Sequence, residues 1–107
     1  MPTFNLSTTE EILSKIKSSK AAILVFHQPG CGMCVMFDTT IEETSAQYPE
    51  LDIIRFNIRE NIQYAREEGI TGTPTTFFYK DGKLVAKEIG YFKIEKMSAI
   101  LKEKSIF

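Results

Sequence analysis

The only two cysteines of the chain stand three apart, in Cys31-Gly32-Met33-Cys34, shortly after a strongly apolar run. Two thiols at that spacing can exchange with a disulfide, or they can supply half of a tetrahedral metal site. A closed structural zinc takes four ligands, and besides these thiols the chain has a single histidine, His27. A metal would therefore have to be shared between the cysteine pairs of two copies. The exchange reading asks less of the sequence. An unperturbed thiol with a pKa of ~8.5 is only a few per cent thiolate at neutral pH, and bringing it to ~7 takes ~2 kcal/mol of differential stabilisation. The first turn of a helix can supply much of that, since its unpaired N–H groups and macrodipole are worth up to ~2 kcal/mol in partly buried geometry. Cys31, first in the motif and nearest the turn, is expected to be the attacking sulfur.

The flanking sequence predicts the helix this argument needs. Ala21-Ala22-Ile23-Leu24-Val25-Phe26 is a continuous apolar run with β-branched members, short enough for a central parallel strand buried on both faces. Pro29-Gly30 stops it, and from Cys31 or Gly32 the residues Cys34, Phe37, Ile41 and Thr44 recur with a helical period as far as Tyr48-Pro49. Upstream, Ser7-Thr8-Thr9-Glu10 and Thr8-Thr9-Glu10-Glu11 both fit a capping box, so a helix starts near Thr8 with Ile12, Leu13 and Ile16 on one face. Phe4 and Leu6 before it read as a short edge strand. Downstream, residues 51–58 alternate like a strand, Glu60 to Glu68 has helix-forming composition, and Gly69 ends it. Thr75 to Tyr79 and Leu84 to Ile89 form a hairpin across Lys80-Asp81-Gly82-Lys83, and a last helix turns Ile94, Met97, Ile100 and Leu101 inward. The order β-α-β-α-β-α-β-β-α gives an α/β protein with one mixed sheet covered on both faces.

Composition narrows what this domain can do. The 107 residues are 43% hydrophobic and 25% charged, which predicts a single domain over residues 1–107 whose apolar core needs no disulfide staples. The balance of 13 Lys+Arg against 14 Asp+Glu gives no basic field to attract nucleic acid or anionic lipid. The aromatics Phe26, Phe37, Phe56, Phe77 and Phe78 sit at strand-interior or helix-inner positions without basic companions, as core residues do and a base-stacking platform does not. No stretch approaches the ~20 apolar residues of a membrane span, and Met1-Pro2-Thr3-Phe4-Asn5 has neither the basic nor the apolar region of a signal peptide. A cytosolic location without membrane partners is expected.

With the cysteine motif, Gly72-Thr73-Pro74-Thr75, the Asp81-Gly82 hairpin and Gly90 following in order, essentially the whole chain resembles the thioredoxin family. The resemblance implies a thioredoxin fold, with a central mixed β-sheet of about five strands flanked by four helices. It implies a protein-disulfide reductase that cycles a Cys31–Cys34 disulfide, Cys31 attacking a client disulfide and Cys34 resolving the mixed disulfide. Disulfide-containing client proteins and an NADPH-dependent flavoprotein reductase are the implied partners, the implied state is a monomer, and neither a metal nor an organic cofactor is called for. Pro74 resembles the family's cis-proline, which sets the backbone of Thr73 beside the disulfide to pair with an extended client segment. Gly30, Met33 and Gly90 complete the implied docking rim.

The chain also departs from the family pattern. Gly30 replaces a tryptophan before the first cysteine, and Gly32-Met33 replaces Gly-Pro between the two. Val25 stands where the family carries a buried aspartate. His27 stands for another tryptophan, placed so that an imidazolium could favour the Cys31 thiolate or an imidazole could relay its proton. Thr39 replaces a helix-kinking proline, so that helix is predicted to run straighter. These changes leave open a more oxidising poise, or a client-binding module of low turnover.

Overall fold

The computed structural model describes residues 3–107, so Met1 and Pro2 of the segment read above for a targeting signal lie outside the described residues. Strand β1 (Thr3–Asn5) leads into helix α1 (Thr9–Ser18), strand β2 (Ala21–His27), helix α2 (Gly32–Gln47) and strand β3 (Asp52–Asn57). A 3-10 turn (Ile58–Glu60), helix α3 (Ile62–Glu67), strands β4 (Thr75–Lys80) and β5 (Lys83–Ile89), and helix α4 (Ile94–Glu103) follow.

Every residue from Ala21 to Phe26 is buried because β2 runs through the middle of a five-stranded sheet of order β1-β3-β2-β4-β5. Its two-residue side-chain period divides the interior into two apolar layers. Ala21, Ile23 and Val25 join Phe37 and Ile41 of α2 and Met97 and Leu101 of α4 on one face. Ala22, Leu24 and Phe26 join Ile12 and Ile16 of α1 and Tyr64 of α3 on the other. The predicted parallel pairing of β2 holds toward β3, which is itself parallel to β1, while β4 runs antiparallel to β2 and to β5. The turn between β4 and β5 takes positive φ at both Asp81 (51°) and Gly82 (79°), as a two-residue hairpin turn requires.

Two local expectations are corrected. The capping box forms on Thr8 and Glu11, and the phase it sets leaves Leu13 51% exposed while Ile12 and Ile16 are buried. The helix expected from Glu60 begins only at Ile62. Asn61 caps it instead, accepting the Tyr64 N–H at 3.2 Å and donating to the Ser7 carbonyl at 3.1 Å. A side chain that satisfies backbone groups on two segments outweighs the helix propensity of its neighbours. Helix α2 runs unbroken through Thr39 for 16 residues, which carries its N-terminus to the carboxyl end of β2.

Candidate functional site

At the carboxyl end of β2 the chain must reverse within a few residues to start α2. Gly30 accommodates the turn with φ +77°, a region that disfavours any Cβ. Cys31 is the N-cap of α2, with extended backbone, and its sulfur takes the part usually played by a serine or aspartate oxygen. Cys31 Sγ accepts the Cys34 N–H at 3.1 Å, and the Cys31 carbonyl accepts the Val35 N–H at 3.2 Å. Cys34, one turn inward, is buried at 7% exposure, whereas Cys31 is half-buried. The sulfurs are joined in a disulfide across a Cα–Cα distance of 5.2 Å.

A second segment approaches from the loop before β4. The Thr73–Pro74 peptide is cis, and the Thr73 hydroxyl donates to Cys31 Sγ at 3.4 Å. The Thr73 carbonyl oxygen lies 3.5 Å from the same sulfur. Among the described residues no backbone–backbone hydrogen bond engages Thr73, whereas the Pro74 carbonyl accepts the Gly90 N–H at 2.7 Å. Gly90 has φ +94°, and a Cβ built there would come within 3.9 Å of Met33 Cε, so the methionine tip lies over the glycine. Met33 (48%), Met36 (54%) and Ile89 (71%) are exposed around this junction. The structure thus brings Gly30, Cys31, Met33, Thr73, Pro74 and Gly90 of the sequence reading to one surface at the head of α2.

His27 sits at the end of β2, opposite Asn57 of β3. Burial holds its imidazole below the usual 6.5, the Arg55 guanidinium adds to this, and Asp38 and Glu60 oppose it with smaller effect. In the disulfide form this disfavours the imidazolium of His27. Val25, in place of the family's acid, is buried in the apolar layer and lies across the ladder from Arg55. The Arg55 guanidinium turns to Asp38 of α2, at 2.9 Å.

Two neighbours escaped the sequence reading. Gln28 donates from Nε2 to Thr73 Oγ1 at 3.1 Å, a contact across 45 positions that no local pattern announces. The Arg55–Asp38 pair joins β3 to α2 and is equally non-local. Among the described residues no group of three or more His, Cys, Asp or Glu side chains is placed to hold a metal ion, and no helix is long and apolar enough to cross a membrane.

The family model described as a thioredoxin-like domain matches residues 9–105. Thioredoxin-1 of Saccharomyces cerevisiae is 34% identical over 83 residues, covering 78% of this chain and 81% of that protein. A thioredoxin of Acidithiobacillus ferridurans is 34% identical over 87 residues, covering 80% of this chain and 81% of its own length. The crystal structure of mitochondrial thioredoxin 3 from Saccharomyces cerevisiae in its oxidized form superposes with a TM-score of 0.86 at 25% identity, over 94% of each chain.

Proposed function

This chain belongs to the thioredoxin family and is a thiol–disulfide oxidoreductase, and we propose that it works as a single-domain protein-disulfide reductase with Cys31 as attacking and Cys34 as resolving sulfur. The observation that carries the assignment of roles is the asymmetry of the pair. Cys31 caps α2, accepts an N–H and an O–H, and is partly exposed, while Cys34 is buried behind it.

In the reduced protein the Cys31 thiolate attacks one sulfur of a client disulfide. A new Cys31–client S–S bond forms, the client S–S bond breaks, and the departing client thiolate takes the electron pair. Cys34 then gives up its proton and attacks Cys31 Sγ, releasing the second client sulfur as a thiolate. The client has gained two electrons and, once protonated, two thiols, and the protein has lost two electrons to its Cys31–Cys34 bond. Helix α2 serves the first step, because its first-turn N–H groups stabilise the negative charge that Cys31 carries as it attacks. In the second step Cys31 is the sulfur attacked, and the charge leaves on the client.

Clients dock, in this reading, across the cis-proline loop. The backbone of Thr73 has no ladder partner among the described residues and pairs with an extended client segment, with Pro74 fixing the loop. Gly30 and Gly90 keep the approach free of side chains, and Met33 offers an adaptable apolar contact. Burial favours the neutral form of His27 beside the oxidised pair. Thioredoxins are generally re-reduced by a thioredoxin reductase, and we assign that role here to an NADPH-fed flavoprotein acting on a monomer. A disulfide that must be renewed by reduction belongs in a thiol-reducing compartment, which favours the cytosol.

The test is mixed-disulfide trapping. A Cys34→Ser protein, presented with insulin or a cell extract, should accumulate covalent adducts through Cys31, and the unaltered protein reduced with dithiothreitol should cleave insulin disulfides. Adducts forming on a Cys31→Ser protein instead would reverse the assignment of the two sulfurs.

A further inference from the structure

The hydrogen bonds around Cys31 include a chain that the exchange cycle leaves unexplained. Gln28 leaves β2 directly after His27, and its Nε2 donates to Thr73 Oγ1 at 3.1 Å. Thr73 Oγ1 in turn lies 3.4 Å from Cys31 Sγ. A hydroxyl has one proton and two acceptor lone pairs. With the amide N–H lodged on a lone pair, the single Thr73 proton is left for the sulfur. The Thr73 carbonyl oxygen, 3.5 Å from Sγ, can only accept, so it serves a protonated thiol and opposes a thiolate. The donors that favour charge on this sulfur are therefore two, the Cys34 N–H from α2 and the Thr73 hydroxyl from the cis-proline loop.

Charged side chains supply no further donor to this sulfur among the described residues. The ionisable residues on the elements that converge here are Cys34, Asp38, Glu42 and Glu43 on α2, His27 on β2, Tyr79 and Lys80 on β4, and Lys83, Lys87 and Glu88 on β5. Asp38 is paired with Arg55 at 2.9 Å and Glu88 with Lys96 at 2.9 Å. Among the described residues no charged side chain hydrogen-bonds to Cys31 Sγ.

We propose that Gln28 is a positioning residue for the redox centre: by donating to Thr73 Oγ1 it aims the Thr73 hydroxyl at Cys31 Sγ, so that the thiolate formed on reduction finds a second donor already in place. The inference deepens the reading of Cys31 as attacking sulfur and rests on it. A hydrogen bond to a charged acceptor is among the stronger ones, and the long contact to sulfur puts this one at the low end, enough to move an ionisation midpoint by about one pH unit.

The experiment follows the rate of iodoacetamide alkylation against pH in a Cys34→Ser protein, where Cys31 is the sole thiol. Thr73→Val should raise the alkylation midpoint by about one unit, and Thr73→Ser, which keeps the hydroxyl, should leave it within about 0.3. Gln28→Glu should also raise it by about one unit, because the carboxylate accepts the Thr73 proton and draws it off the sulfur. Introduced on top of Thr73→Val, Gln28→Glu should add less than about half of that. An equal rise in both backgrounds means that the carboxylate acts by charge alone and overturns the proposal. A low midpoint untouched by Thr73→Val overturns the relay while leaving Cys31 as nucleophile. A midpoint in the parent Cys34→Ser protein no lower than that of free cysteine overturns the attacking role and the relay with it.

Discussion

The two sulfurs should differ sharply in reactivity at neutral pH, and the size of the difference can be worked from their surroundings. A free thiol is about 3% ionised at pH 7. At the N-cap of the 16-residue α2, stabilisation by ~2 kcal/mol raises that fraction to about half, a gain of roughly 16-fold. A more stable thiolate is a weaker nucleophile, and a Brønsted coefficient of ~0.4–0.5 returns about four- to sixfold of the gain. Cys31 should therefore alkylate about three to four times faster than free cysteine. Cys34 has neither advantage: at 7% exposure it is desolvated, which disfavours its thiolate, and it is screened from the reagent. It should react more slowly than free cysteine, placing the two more than about three- to fourfold apart. Iodoacetamide labelling of the Cys34→Ser and Cys31→Ser proteins at pH 7, each followed by intact-mass spectrometry, measures both rates. Equal rates, or a faster Cys34, would refute the argument from capping and burial.

Two further perturbations follow from groups near the site and in the core. Burial lowers the His27 pKa below 6.5 in the folded protein, so on acidification the unfolded chain takes up this proton first. The stabilisation is fully present above pH 6.5 and drains away as the pH falls below that toward the folded value. A His27→Gln protein should lose less of its urea midpoint than the parent between pH 7.5 and 5.5, and identical losses would show that His27 is not the group responsible. The buried Tyr64 hydroxyl has no hydrogen-bond partner among the described residues, and that burial pushes its pKa up to about 12. Tyr64→Phe removes an unsatisfied polar atom while keeping the ring against Phe26 and Phe56, so it should stabilise the fold by about 1 kcal/mol. Urea unfolding reads this directly, and a destabilised variant would mean that the hydroxyl is satisfied in solution.

Covalent spacing and local periodicity were enough to locate the chemistry in the sequence. The interval between Cys31 and Cys34, the apolar run of β2 and the Pro29-Gly30 break are all local signals, and together they place the pair at the head of a helix. Signals failed where the deciding contact is distant or where several residues share one propensity. Leu13 looked like a core residue because a three-member apolar set fixes the phase of a ten-residue helix poorly, and burial went to Ile12 and Ile16. Residues 60–68 are nearly all helix formers, so only the contact of Asn61 with Ser7 reveals where α3 starts. The charge state of His27 depends first on its burial and then on Arg55, 28 positions away across a ladder that the sequence does not display.

The departures from the family pattern have a common physical consequence at the resolving step. Val25 places a hydrocarbon side chain where the family has a carboxyl group, within a layer that includes Ile23, Phe37 and Phe78. A carboxylate there would carry a desolvation cost that only a close counter-charge offsets. Arg55, opposite Val25 in the ladder, instead finds its acid on the flank of α2, in Asp38, where both side chains keep partial contact with water. Surface pairs of this kind carry little energy, so the exchange relieves the interior of a charge without demanding much in return. It also removes the interior base from the path of the Cys34 proton. In the proposed cycle the client thiolate released when Cys31 attacks is a base produced one step before Cys34 must ionise. Activation of Cys31 rests on neutral donors, the Cys34 N–H and the Thr73 hydroxyl, and these are indifferent to the loss of the acid. The first step of exchange is thus built into the backbone of α2 and the cis-proline loop, while the second draws on the client itself.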